Sequence, residues 1–282
     1  MNTYSPKIEY IDKNIVISGI NEFELSDTLD CGQAFRFSKI DDKTWQGIAL
    51  NSYIKIGKMN DQIILYNVTL DDYEQKWKYY FDFERNYARI INIISENNVL
   101  KAAAEKYKGI RILNQDPWEA ICSFIISQNN NIPRIKGIIE RLCENFGDKI
   151  DGGYSFPTAQ KLSNLTPEDL APLRAGFRAR YIIDAAKKIS SNELDFDLIK
   201  NGDIDNARLE LMKITGVGAK VADCALLFGF SRVEALPKDV WIKRAIAEYF
   251  NGEFPECAKN YAGIAQQYLF SYIRDINKAT EE

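Results

Sequence analysis

Lys220 and Asp239 are the residues of this chain best placed by type and spacing to do chemistry. Lys220 follows the turn Gly216-Val217-Gly218 and opens a helical pattern. A helix N-terminus disfavours positive charge, so an amine there is pushed toward the neutral, nucleophilic form that Schiff-base chemistry requires. Asp239, in Pro237-Lys238-Asp239, precedes another helical pattern, where backbone amides and the helix dipole favour a carboxylate. The chain has no histidine, which removes Ser-His and Cys-His nucleophiles, histidine-ligated metals and imidazole bases together. Catalysis is left to lysine, carboxylates, cysteine or tyrosine. Each residue also has an ordinary reading, Lys220 as a solvated surface side chain and Asp239 as a structural cap. The combination is far more specific: GVGAK and then, 19 residues after the lysine, an aspartate with a proline two positions before it.

The residues around this pair are of matching types. Gly216 and Gly218, two apart, make a tight turn, and the amides that open the next helix then point outward as phosphate donors. That is the logic of a helix-hairpin-helix anchor for DNA, although an ordinary interhelical turn would also use such glycines. Cys224 lies four residues after Lys220 on the same helical face, where a small core residue is equally at home. Ser127 to Arg134 (SQNNNIPR) and Gly176 to Tyr181 (GFRARY) put amides and guanidinium forks beside an aromatic ring. Such groups suit hydrogen bonding to, and stacking on, nucleic-acid bases; the plainer readings are a polar helix break and a solvated basic face.

An α+β fold must position these groups. Up to about residue 70, Lys7 to Ile17, Thr44 to Ile48 and Tyr53 to Tyr66 read as strands of an antiparallel sheet, the last with an Asn60-Asp61 turn signal. From Asp71 the period becomes helical. Trp118 to Phe146 divides into two helices at the Asn run and Pro133, and Thr166-Pro167-Glu168-Asp169 reads as a helix start. Further helices are expected at about 179–190, 205–213, 219–229, 240–250 and 258–275. The implied division is a β-sheet subdomain over 1–107, a helical subdomain over 108–218 ending in the hairpin, and a helical subdomain over 219–282. Residues 108–116 are free to pack with the last.

At 282 residues, 46% hydrophobic and 27% charged, the chain has the composition of a soluble globular protein with more than one subdomain. No apolar run approaches the length of a membrane span, and the segment Met1-Asn2-Thr3-Tyr4 lacks the blocks of a secretory signal. Five cysteines without CxxC spacing argue against disulfides or zinc and for a reducing, cytoplasmic setting; abundant Asn, Ile and Lys point to a bacterium with an AT-rich genome. The net charge of −4 runs against a nucleic-acid partner, so any such contact must rest on local field.

The blocks together resemble the helix-hairpin-helix (HhH-GPD) DNA glycosylases, and within them the 8-oxoguanine DNA glycosylase/lyases, over nearly the whole chain. Cys31 to Arg36 (CGQAFR) is similar to the family's GQ-x-FR element, Gln115-Asp116-Pro117 to its QDP, SQNNNIPR to its NNN-I-x-R, GFRARY to its GYRARY and Gly263 to Phe270 (GIAQQYLF) to its G-x-AQ-xx-LF. The resemblance implies Lys220 as nucleophile and Asp239 as essential carboxylate. It gives Gly32 a carbonyl contact to the N7 hydrogen of the oxidised base, Gln266 its pairing edge, Phe270 and Cys224 its two faces, and Phe228 a place in the same pocket. Asn129, Arg134 and Arg178 would hold the widowed cytosine. Phe177, where the family commonly has Tyr, would fill the vacated stack, and Trp241 stands where the family has a histidine. Gly216, Val217 and Gly218 would meet the DNA backbone, and the carbonyls of Met212, Ile214 and Val217 would cradle a cation. No cofactor is required. The implied partner is double-stranded DNA containing 8-oxoguanine, met by a monomer associated with the nucleoid during base excision repair. Relatives for oxidised pyrimidines often carry a four-cysteine iron–sulfur cluster near the C-terminus, where this chain has only Cys257; relatives for alkylated bases usually lack the lysine. A non-enzymatic DNA-binding module would need neither the Lys220 and Asp239 pair nor the Gln266 and Phe270 pocket.

Overall fold

Alternation of apolar and polar residues between positions 7 and 66 builds one six-stranded antiparallel sheet: β1 (Lys7–Ile11), β2 (Asn14–Ser18), β3 (Phe37–Asp41), β4 (Thr44–Ala49), β5 (Ser52–Met59) and β6 (Gln62–Tyr66). The computed structural model describes residues 4–281. Strand order is β1-β2-β6-β5-β4-β3. Across it Ile15 pairs with Leu65, Leu65 with Ile56 and Ile56 with Trp45, a ladder buried on one face. Phe23, Trp77, Tyr80, Phe81 and Phe83 pack with that ladder to close the first core.

Three of the four two-residue hairpins of this sheet turn at Asp12-Lys13, Leu50-Asn51 and Asn60-Asp61, where every central residue has φ between +48° and +66°. That is the turn whose twist matches flanking strands. Only Asn60-Asp61 carries the usual composition. The stretch expected as one strand from Lys7 to Ile17 is therefore two strands, because Asp12-Lys13 turns the chain without a glycine. β3 was not expected either: after Phe37 its residues are exposed, so it has no alternation to read.

The helical body holds the second core. The helices Pro117–Ser127 and Ile132–Phe146 form as expected, each capped by the side chain before it, Asp116 and Asn131. Thr166 and Asp169 do make a reciprocal cap, with Thr166 N–H donating to Asp169 Oδ2 at 2.8 Å. No α-helix follows, only a 3₁₀ turn over Ala171–Leu173. Pro172 lacks the N–H that a continuing helix would need, and Arg174 turns left-handed at φ 55°. Arg178–Ser190, Ile204–Leu211, Ala219–Gly229, Val240–Tyr249 and the C-terminal helix Ala262–Glu281 complete the body. The helix Asn98–Tyr107 packs against the C-terminal helix.

Gln33 and Arg111 fasten the sheet to the body. Gln33 Nε2 donates to the carbonyls of Thr28 and Arg111, and its Oε1 accepts the Leu113 N–H at 2.9 Å. Arg111, fully buried, gives its guanidinium to the carbonyls of Glu22 and Asp82 and lies over the Tyr87 ring. Its charge is satisfied by backbone oxygens, so the seam is a structural device and not a binding site.

Candidate active-site cleft

Two helix N-termini and one loop converge on a cleft of about 840 Å³. Lys220 comes from the first turn of the helix Ala219–Gly229, Asp239 from the N-cap of Val240–Tyr249, and Ser127, Gln128 and Asn129 from the loop after Pro117–Ser127; all of them line the cleft. The pair singled out by spacing is thus brought together in one cleft. Lys220 Nζ lies 5.7 Å from the centroid of the Phe124 ring, which in turn stacks on Phe228 at 5.1 Å. One oxygen of Asp239 accepts the Ile242 N–H at 2.8 Å, which fixes the carboxylate's orientation.

The hairpin before Lys220 is shaped by contact. Gly216 has φ +80°, and a Cβ on it would meet the Tyr181 ring at 2.4 Å. Thr215 N–H donates to Asp184 at 2.7 Å, which pins the turn to the helix Arg178–Ser190. Val217 is buried beneath it. Around Gly218 nothing lies within 4 Å of where a Cβ would stand, and no side chain caps the amides that follow. Those N–H groups face open space, the condition for an anion to sit on them. Of the carbonyls expected to hold a cation, Ile214's accepts the Val217 N–H at 3.0 Å. Each of the three carbonyls carries a second lone pair, so the oxygen donors suit a hard cation.

Three of the residues expected to grip the base are buried. Cys224, Phe228 and Gln266 are 3%, 2% and 4% exposed, and none lines the cleft as it stands. Burial pushes the Cys224 thiol up to about 11 while the neighbouring Lys220 charge pulls it back, so at neutral pH it is a thiol and not a rival nucleophile. Gln266 Oε1 accepts from Gln267 Nε2 at 2.9 Å. Phe270 is half-buried with the Arg274 guanidinium 5.8 Å over its ring. Gly32 turns its peptide at φ +90° beside Ile132.

The residues expected at the opposite base lie largely outside. Asn129 is exposed at φ 47°, Arg134 is exposed, and Phe177 is 45% exposed at the head of its helix. Arg178 differs from them. It is buried, donating Nε to the Gln128 carbonyl at 2.9 Å and Nη2 to the Asn129 carbonyl at 2.9 Å, and it stacks 4.5 Å from Phe177. Burial, with Arg134 nearby, lowers its pKa. It clamps the loop on which Asn129 stands.

Two family models match: "8-oxoguanine DNA glycosylase, N-terminal domain" over residues 15–121 and "HhH-GPD superfamily base excision DNA repair protein" over residues 122–256. Among solved structures, MBOgg1 in complex with a low affinity DNA ligand is 38% identical with a TM-score of 0.89, covering 97% of this chain and 99% of that one. The chain belongs to the helix-hairpin-helix 8-oxoguanine DNA glycosylase family. Clostridium acetobutylicum 8-oxoguanine glycosylase/lyase, in complex with dsDNA containing cytosine opposite to 8-oxoG, is 35% identical with a TM-score of 0.88 over 98% of this chain and all of that one. The N-glycosylase/DNA lyase of Saccharomyces cerevisiae is 40% identical over 153 residues, 49% of this chain and 41% of the yeast protein. The match therefore spans about two fifths of that relative's length.

This family member's cleft has a charged floor that motif reading missed. Arg208 Nε donates to Asp223 Oδ1 at 2.6 Å, tying the helix before the hairpin to the helix after it. Burial raises the Asp223 pKa and Arg208 offsets it. Asp223 lies three residues after Lys220, and that spacing was the available signal. Lys238 and Lys243 line the rim. No helix among the described residues is long and apolar enough to cross a membrane.

Proposed function

We propose that this protein is a bifunctional DNA glycosylase and abasic-site lyase that removes 8-oxoguanine from duplex DNA, working as a monomer in base excision repair. The observation that carries the reading is Lys220 and Asp239 on one cleft beside a hairpin with uncapped amides, in a chain without histidine. Relatives named for 8-oxoguanine and for DNA lyase activity support the substrate and the second step.

A base inside a duplex hides the sugar carbon to which it is bound, so the nucleotide must leave the stack at a cost of about a few kcal/mol. Phosphates on the hairpin amides, Phe177 in the vacated gap, and Asn129, Arg134 and Arg178 around the widowed cytosine would offset that cost. Gly32, Gln266, Phe270, Cys224 and Phe228 would enclose the flipped base, which requires the buried group to part. As the glycosidic bond lengthens, the sugar gains oxocarbenium character, and the fixed Asp239 carboxylate stabilises that charge. The Lys220 amine, once it has given up its proton, forms a bond to the anomeric carbon while the base departs with the bonding electrons, and the base takes up the proton that the nitrogen sheds on adding. The ring C–O bond then opens to give an imine between Lys220 and the sugar. The imine acidifies the adjacent C–H; loss of that proton expels the 3′ phosphate by β-elimination, and the released base is a candidate proton carrier. A cation on the carbonyls of Met212, Ile214 and Val217 would stiffen the hairpin.

Borohydride added during turnover on a duplex with one 8-oxoguanine opposite cytosine is expected to trap a covalent protein–DNA adduct. Lys220→Gln is expected to abolish trapping and strand cleavage. Trapping that persists undiminished in Lys220→Gln would remove the lysine from the role.

A further inference from the structure

Two exposed aromatic residues adjoin segments that line the cleft, Phe177 beside the Arg178 that holds the Asn129 loop and Trp241 next in sequence to Val240, and flipping one base leaves only one gap to fill. Phe177 stands out of its helix with Arg178 on its ring and the carbonyls of Gln128 and Asn129 held by the same guanidinium. Immediately after Asp239, Val240 and Trp241 are exposed, Trp241 by 42%, with the Arg244 guanidinium 5.6 Å from the indole centroid. Lys238 and Lys243 line the rim there. Neither they nor Arg244 forms a salt bridge among the described residues, whereas Arg208 and Lys213 in the same region are paired to acids. An exposed indole with a guanidinium on its ring and lysines free of salt bridges in the same segment is an arrangement by which single-stranded nucleic acid is held: stacking on the ring, phosphates on the cations. Charge complementarity therefore selects a nucleic-acid occupant. A paired base shows only its edges to the grooves, so a ring that stacks face to face needs a base already out of its pair.

We propose that Trp241, backed by Arg244, is a second stacking platform that receives an unpaired base flanking the lesion. The inference rests on the glycosylase reading and extends it. The protein would then favour a lesion beside a mismatch, bubble or frayed end over the same lesion in a fully paired helix. Phe177 serves the gap of the flipped base, and Trp241 serves a neighbour that has lost its partner.

The test compares kcat/KM for excision on two duplexes that differ only in whether the base next to the 8-oxoguanine is paired, in the wild type, Trp241→Phe and Trp241→Ala. Stacking a base on an aromatic ring contributes about 1–3 kcal/mol, so the unpaired-to-paired ratio should fall about tenfold in Trp241→Ala and be largely kept in Trp241→Phe. A second readout is tryptophan emission. Trp45 and Trp77 are buried and Trp118 is half-buried with its indole N–H bonded to Pro157, so quenching on DNA binding should come chiefly from Trp241 and be stronger with the unpaired flank. A wild-type ratio retained in full by Trp241→Ala overturns the proposal, as does equal quenching by both duplexes. Failure of the wild type to excise from either duplex would instead count against the glycosylase reading.

Discussion

The residues proposed to enclose the flipped base and those proposed to hold its widowed partner, the lesion side and the orphan side of the proposed complex, are set in the fold in opposite ways. On the lesion side, Cys224, Phe228 and Gln266 are almost without solvent exposure, and Phe228 stacks on Phe124 inside the helical core. On the orphan side, Asn129, Arg134 and Phe177 are exposed on a loop and a helix head, steadied from beneath by Arg178. The lesion side shares its residues with the core, so its shape is tied to folding stability. The orphan side can change with little effect on the fold, and on the proposed reading selectivity for the opposite base would drift there at low cost.

The largest expected effect tests that division directly. Phe228→Ala should lower stability by about 3–5 kcal/mol in urea melts, the usual loss for a buried aromatic, whereas Phe177→Ala should change it by less than about 0.5 kcal/mol. Excision by Phe177→Ala should nevertheless slow on paired duplex. Equal stability losses in both variants would erase the distinction between the sides.

A smaller effect is expected at the hairpin. Gly216→Ala places a methyl group against Tyr181, which itself packs edge-on with Phe177 at 5.7 Å. Left-handed backbone and crowding together should cost about 2–3 kcal/mol. If the orphan side is as independent as it looks, the variant should weaken DNA binding while leaving the melting of the sheet region unchanged by near-UV circular dichroism.

The smallest effect sharpens the comparison from the shared scaffold. Glu119 lies on the helix that carries Phe124 and runs into the Asn129 loop. Burial raises its carboxyl to about 7, with Arg36 at 3.4 Å pulling it down. A folded pKa above the unfolded one means the folded state holds the extra proton. Its stabilising contribution is therefore fully present below about 4.5 and is lost as pH rises through about 7. Glu119→Gln should flatten the decline between pH 5 and 8 by about 2 kcal/mol or less, read from paired urea melts. A steeper decline in the variant would contradict the assignment.

How much of this was legible beforehand depended on whether the signal was local. The two helices around Pro133 could be placed because Ile121, Phe124 and Ile125, and then Ile135, Ile138, Ile139 and Leu142, repeat at helical spacing on either side of the Asn run. Lys220, Asp239 and the hairpin were legible because chemistry fixes their types and spacing together. The turn at Asp12-Lys13 was not, since neighbouring strands impose its left-handed backbone on residues that do not advertise it. Thr166 capped as its type suggests, yet Pro172 stopped the helix one turn later. The buried clamp made by Arg178 was not legible, nor was Arg208–Asp223, because both depend on contacts between segments apart in the chain.

On the proposed mechanism Asp239 would do two jobs with one side chain, and that has an evolutionary consequence. Its bond to the Ile242 amide starts a helix, and an asparagine would keep that bond while discarding the charge. A single nucleotide change could thus yield a well-folded protein that finds damage and sits on it without cutting. Such a variant would shield lesions from other repair enzymes, so loss of this carboxylate should be more harmful to a cell than loss of the whole gene.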